Sequence, residues 1–219
     1  MSPLKLAFCV LFLMCWNGNS QKYKVDNRTQ EQKEHPYDTE DIGLADLIEM
    51  LKFQGIEINK FKLGKFDRRY IIYILADEYL DGKMISTDTL LNTSNTYVYF
   101  ESEEPLYHYI DQITIMSRDF PEEKKSQLMI KTYGFSTTRS IEMKNTEKEN
   151  VLYWRKYLDT EWELNKKIPL LIYASSWLDK RYNVRRFCGV QYLKENDEDT
   201  NELLNSSPNY VKISYFVTE

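Results

Sequence analysis

RRYIIYILADEYLDGKMISTDTLL, Arg68–Leu91, holds two extended runs on either side of Asp81-Gly82. Ile, Tyr and Thr suit a pleated, half-buried surface. Asp-Gly suits a two-residue type I′ loop, because both of its central positions need a positive φ. Together they predict an antiparallel hairpin. Arg69–Leu75 is apolar at consecutive positions, so this strand is expected inside a sheet, covered on both sides, with a helix above it.

Upstream, IEINKFKLG from Ile56 is a further extended run. Before it, Asp38 or Thr39 can cap Glu40–Gln54, where Leu44, Leu47, Ile48 and Leu51 share one helical face and Gly55 offers a left-handed stop. Downstream, strands are expected at Thr96–Glu101, Tyr107–Arg118, Gln127–Tyr133, Thr138–Lys144, Pro169–Trp177, Val184–Leu193 and Tyr210–Thr218. In Arg139–Asn145, Ile141 and Met143 alternate with Ser140, Glu142 and Lys144, the pattern of a strand with one wet face. Glu147–Lys167 fits a helix through Val151, Trp154, Leu158 and Trp162, and a strand face through Leu152, Trp154, Leu158, Trp162 and Leu164; its length without Gly or Pro favours the helix. KENDEDTNELLNSSP, Lys194–Pro208, reads as an acidic loop. Hairpin-spaced strands with few helices predict an α+β fold, mainly antiparallel β-sheet with one or two helices packed on it; the alternative is an all-β sandwich or barrel.

MSPLKLAFCVLFLMCWNGNS at the N-terminus places Lys5 before an apolar run from Leu6 to Trp16, then Gly18 and Ser20. This is the layout of a secretory signal peptide, and cleavage is expected after Ser20. The run is shorter than the roughly 20 residues of a membrane-spanning helix, so the mature chain is expected to have none. Lipoprotein anchoring at Cys15 is disfavoured by Met14, where a small residue is required. Residues 21–36 are polar and aperiodic, the pattern of a flexible leader, and 37–219 is expected to form a single domain. Removing the signal takes Cys9 and Cys15 with it, leaves Cys188 as the one thiol, and leaves no intramolecular disulfide. Stability must then come from the core, and a chain of this length buries about 70% of its unfolded surface. A net charge of −5 and a pI near 5.3 argue against nucleic-acid binding, which needs a basic face.

Recognisable chemistry is scarce. Of two histidines, His35 lies in the leader and His108 in an expected strand. The chain lacks G-x-S-x-G, S-x-x-K, H-E-x-x-H and phosphate-loop patterns, so no catalytic set and no cofactor are expected. No metal site is expected either. Asp197, Asp199 and Asn201 resemble the start of a calcium loop, but its sixth position is Glu202 and its twelfth Pro208, where Gly and Glu are required. Glu161 and Glu163 beside Trp162 are the carboxylate pair to inspect for sugar hydrolysis, although a tryptophan at such spacing belongs more often to the core. Cys188 follows Arg185 and Arg186, which would favour a thiolate; strand alternation places it among apolar side chains, and an inert thiol is expected.

Two features remain. Seventeen tyrosines, many in expected strands, suit half-wet binding surfaces, although strand propensity alone accounts for them. The loop DKRYNVRR gathers Lys180, Arg181, Tyr182, Arg185 and Arg186 between two apolar runs. It reads as a hairpin with a charged tip, offset by the neighbouring acidic loop; an anion or partner contact is the alternative, since guanidinium groups grip carboxylates and phosphates in a forked geometry.

The ending GNS before Gln21, the disulfide-free mature chain and the Tyr-rich strands together resemble small exported proteins of gut-dwelling Bacteroidetes, many in families of unknown function. Asp88-Thr89-Leu90 fits the O-glycosylation pattern of that group, while Asn27, Asn92 and Asn205 fit eukaryotic N-glycosylation and leave a eukaryotic source open. The resemblance implies a periplasmic or cell-surface setting and no assigned activity. The expectation is an exported, non-catalytic binding or accessory protein whose partner is carbohydrate or another envelope protein. The alternatives are a hydrolase of polysaccharide or peptidoglycan and a carrier of apolar ligands.

Overall fold

The computed structural model describes residues 43–64, 66, 68, 70–94, 112–132, 136–143, 146–187 and 189–219. Before the first strand, α1 (Leu44–Phe53) ends at Gly55 in the left-handed region, φ +71, and β1 (Ile56–Lys62) follows. The next hairpin forms around Asp81-Gly82. β2 (Ile71–Leu80) and β3 (Lys83–Asn92) pair antiparallel, with Asp81 at φ +48 and Gly82 at φ +73, both in the region a type I′ loop requires.

Strand β2 lies inside its sheet, as its apolar run predicts, because β12 (Asn209–Thr218) pairs along its other side from Ile71↔Thr218 to Leu80↔Asn209. Its two faces differ. Ile72, Ile74 and Ala76 are buried, whereas Ile71, Tyr73 and Leu75 are only half-buried.

The large sheet runs β11-β7-β8-β12-β2-β3, where β7 is Leu152–Tyr157, β8 is Lys167–Ser175 and β11 is Tyr192–Leu193; only β11–β7 is parallel. A second, antiparallel sheet runs β1-β4-β5-β6, with β4 at Gln112–Phe120, β5 at Lys125–Lys131 and β6 at Ser136–Glu142. In β6 only Ile141 is buried, which is the wet-faced strand its alternation predicts. β9 (Trp177–Asp179) and β10 (Val184–Arg186) form a separate hairpin.

The two sheets share one core. Phe61, Ile113, Ile115, Leu128 and Ile130 come from the smaller sheet, and Ile72, Ile74, Leu171, Tyr173, Ile213 and Tyr215 from the larger. Burying each such side chain favours folding by about 1.5–3 kcal/mol before conformational entropy is counted. A satellite cluster lies on the other face of the large sheet, where Ile172, Ala174 and Tyr210 meet Leu203 of α2 (Glu198–Ser206), with Trp177 and Phe187 packed against it. Ala45–Glu219 forms one compact unit. The architecture is thus a β-rich α+β arrangement of mainly antiparallel, open sheets with two helices among the described residues.

Three expectations need correction. Glu147–Lys167 is not a helix: Leu152–Tyr157 is β7, held extended by its ladder with β8. Trp154 and Tyr157, an odd number of positions apart, are buried in clusters on opposite faces of the sheet. Val184–Leu193 is not one strand, because β10 pairs with β9 whereas β11 pairs with β7. Lys194–Pro208 is not only a loop, since α2 starts after an extended Asp197, with Glu198 and Asp199 complementing its N-terminal dipole and Thr200 and Leu203 buried. The strand expected at Thr96–Glu101 and the start of that at Tyr107–Arg118 lie outside the described residues, as do the signal segment and leader.

Candidate functional site

The register of β9–β10 pairs Asp179 with Val184, Leu178 with Arg185 and Trp177 with Arg186, leaving residues 180–183 as the loop, with Asn183 at φ +52. A charged hairpin tip is therefore what forms. It carries the expected basic residues and Tyr182, but their roles diverge. Arg185 turns toward the 147–150 turn, where its guanidinium lies 3.2 Å from Glu147 and 3.6 Å from Glu149 and donates to Oδ1 of Asn150. Arg186 pairs with Asp179 at 3.0 Å. Tyr182 is 54% exposed, with the Arg181 and Arg186 guanidinium groups 5.1 and 4.9 Å from its ring centroid, close enough for cation–π attraction. Lys180 and Arg181 make no ion pair among the described residues, and Leu178 and Val184 are exposed beside them. The acids that offset the tip are Asp179, Glu147 and Glu149, which corrects the expected pairing with the 194–208 segment.

The turn that Arg185 holds is also the rim of a cavity of about 130 Å³, lined by Asp119, Pro121, Lys124, residues 148–152 and Tyr173. Asp119 lies at the end of β4, on the strand face that carries the buried Ile113, Ile115 and Ser117. Trp154 of β7 donates its indole N–H to Asp119 Oδ1 at 3.0 Å and stacks on Tyr173 at 4.5 Å, so the two sheets are tied at this edge. Lys124, at φ +49 after the 3-10 turn Pro121–Glu123, donates Nζ to the Asn150 carbonyl. Asn150 is buried and takes a charged donor on its side chain and another on its carbonyl, which fixes the rim from two sides.

Burial pushes the Asp119 carboxyl above the usual range, against hydrogen bonds from Ser126 and Trp154. Glu57 stands opposite Ser117 in the β1–β4 register and is diagonal to Asp119 on the same face. It is raised too, first by burial and then by the Asp119 charge, with Arg155 and Lys52 opposing. With folded-state pKa values above those of the unfolded chain, the native state holds more protons in that window, and stability falls as pH rises through it. Glu57→Gln should therefore raise the melting temperature at pH 7 by about 1–3 °C, and the gain should fade toward about pH 4 in melts run across pH. An unchanged melting temperature at pH 7 would show that this charge is not penalised.

The strand tyrosines divide: Tyr70, Tyr157, Tyr173, Tyr210 and Tyr215 are buried, Tyr73 and Tyr79 are half-buried, Tyr192 is exposed, and Tyr97, Tyr99, Tyr107 and Tyr109 lie outside the described residues. Burial, with Tyr79 stacked at 4.6 Å, pushes the Tyr210 phenol up to about 12. Trp162 packs 5.0 Å from both Phe66 and Tyr70, and Glu163 pairs with Lys166 at 2.7 Å, so the Glu161–Glu163 stretch braces the core through its tryptophan. Asp197, Asp199 and Asn201 belong to the start of α2, and among the described residues no group of three or more His, Cys, Asp or Glu is placed to hold a metal ion. Cys188, His35 and His108 lie outside the described residues. Sequence reasoning missed Asp119, Glu57, Lys124 and Lys148. For Asp119 the signal was parity, since it shares its strand face with Ile113, Ile115 and Ser117 and is therefore an inward-pointing acid.

A β-rich α+β protein with a cation-bearing hairpin tip and a small, charge-braced cavity is the class these features define. The chain belongs to the family described as Domain of unknown function (DUF5041), whose model matches residues 27–219. Neither a curated protein nor a solved structure matches it. Membership of a family without an assigned activity agrees with the expectation drawn from the sequence. No helix among the described residues is long and apolar enough to cross a membrane.

Proposed function

We propose that this chain is an exported, non-catalytic binding or accessory protein of the cell envelope, which loses Met1–Ser20 as a signal peptide and meets an acidic envelope protein through the β9–β10 tip. The observation that carries the reading is Tyr182, open to solvent with two guanidinium groups against its ring and with Leu178 and Val184 exposed on the same hairpin. Tyr and Arg are the side chains that anchor protein interfaces, because they combine large contact area with directed polar groups. Lys180 and Arg181 supply positive charge on an acidic protein, which favours encounter with an acidic surface at low salt.

The test compares the mature chain with a Lys180→Glu/Arg181→Glu/Tyr182→Ala variant in capture from an envelope fraction and on a glycan array. A protein retained by the wild type at low salt, released as salt rises, and bound about 10-fold or more weakly by the variant is expected. Equal retention by both forms overturns the assignment of the tip, and capture of glycans alone replaces the protein partner with carbohydrate.

The hydrolase alternative has one supporting observation, the raised carboxyl of Asp119 in the cavity lining with the raised carboxyl of Glu57 diagonal to it on the same strand face. A carboxyl whose proton is held more tightly than usual is the property a general acid draws on. Turnover of a polysaccharide or peptidoglycan substrate that disappears in Asp119→Asn would put this reading first.

A further inference from the structure

We propose that the cavity beside Asp119 binds a free α-amino acid with a short apolar side chain, its ammonium on the Asp119 carboxylate and its carboxylate on Lys148. Size sets the first limit. The cavity is about 130 Å³, slightly under the roughly 150 Å³ that accepts a benzene ring. A ligand of about six to eight non-hydrogen atoms fits that space. Pro121, Val151, Leu152 and the Tyr173 ring form apolar walls suited to a methyl or isopropyl group.

Charge sets the second limit. One side of the lining holds Asp119, whose Oδ1 is fixed by the Trp154 N–H, so the carboxylate is oriented before any ligand arrives. The rim holds Lys148, which is exposed and makes no ion pair among the described residues. Its neighbour Glu149 is drawn off by Arg185 at 3.6 Å, and Lys124 is anchored on the Asn150 carbonyl. One free cation and one oriented anion lining the same small, largely apolar space select a molecule carrying both opposite charges. Because Arg185 and Lys124 already brace the rim, binding orders little of the chain, which matters for so small a ligand. The site is separate from the surface around Tyr182, so either proposal can fail alone.

Calorimetric titration of the mature chain with L-alanine and L-valine, and with isopropylamine and isobutyrate as half-ligands, tests this. At least one amino acid should bind with a Kd of about 1 mM or tighter, and both half-ligands about 10-fold or more weakly. Lys148→Gln should weaken amino-acid binding about 10-fold, and Asp119→Asn at least as much. Lys148 sits on an exposed turn, so its replacement leaves the core intact even if Asp119→Asn disturbs the Trp154 bond. Absence of binding by any amino acid, a half-ligand that binds as tightly, or a Lys148→Gln protein that binds like the wild type each overturns the proposal.

Discussion

Lys167→Met is expected to lower the unfolding free energy by about 3 kcal/mol, one of the two largest losses foreseen for a single substitution in this chain. The reason lies in its partner. Asp77 on β2 is 1% exposed. Its carboxylate is met by Lys167 Nζ at 2.8 and 3.0 Å and by the Thr87 hydroxyl at 2.6 Å. Lys167 is itself half-exposed, so its ammonium is only partly desolvated. Methionine keeps most of the aliphatic stem and deletes the charge, leaving a buried carboxylate with one neutral donor. Removing one partner of such a pair costs about 3–5 kcal/mol, because the remaining charge has neither water nor counter-ion. The lower end applies here because Lys212 stands opposite Asp77 in the β2–β12 register, with its Nζ 5.2 Å from the Tyr79 ring centroid, and can swing toward the acid. Urea unfolding at pH 7 measures the loss, and Asp77→Asn in the Lys167→Met background should recover most of it, since an amide can stay buried uncharged. A loss below about 1 kcal/mol would mean that water reaches Asp77 once the lysine is gone.

That ion pair joins residues 90 positions apart in sequence, and such distance decides what could be read in advance. The hairpin at Asp81-Gly82 was legible because its cause is local: two residues that tolerate positive φ lie between two strand-forming runs. The stop at Gly55 and the wet face of β6 were legible for the same reason. Glu147–Lys167 was not, because Trp154, Leu158 and Trp162 are spaced by four, which is even and therefore fits a strand face as well as a helix. The tie was broken by a tertiary partner, β8, that no local pattern names. α2 was missed because nine residues with few apolar side chains give too short a period to stand out from an acidic loop. At the site, clustering of Lys180, Arg181, Tyr182, Arg185 and Arg186 was visible, but their division of labour was not. Arg185 belongs to a turn some 35 residues earlier, and only the fold brings the two together. Asp119 follows no motif at all, and what singles it out is a tryptophan on another sheet.

Gly64→Ala should lower the unfolding free energy by a similar amount, about 3 kcal/mol or more, for two separable reasons. Gly64 sits at φ +110, a backbone region that L side chains rarely adopt, and holding such a residue there costs about 1–3 kcal/mol. A Cβ at this position would also lie 2.7 Å from Trp162 Cδ1 and 3.1 Å from its Nε1. The indole has little room to retreat, because Phe66 and Tyr70 pack against it at 5.0 Å each and against one another at 5.7 Å. Overfilling a packed cluster of this kind adds about 1–3 kcal/mol. Gly82 provides the comparison: it too has a positive φ, +73, but nothing lies within 4 Å of the Cβ it would gain. Gly82→Ala thus carries the backbone cost alone, about 1 kcal/mol. In parallel thermal melts the Gly64→Ala protein should lose about 6–12 °C and the Gly82→Ala protein about 2–4 °C. Equal losses would show that the Trp162 ring gives way to a methyl group, and that the Phe66–Tyr70–Trp162 cluster is looser than its ring spacings imply.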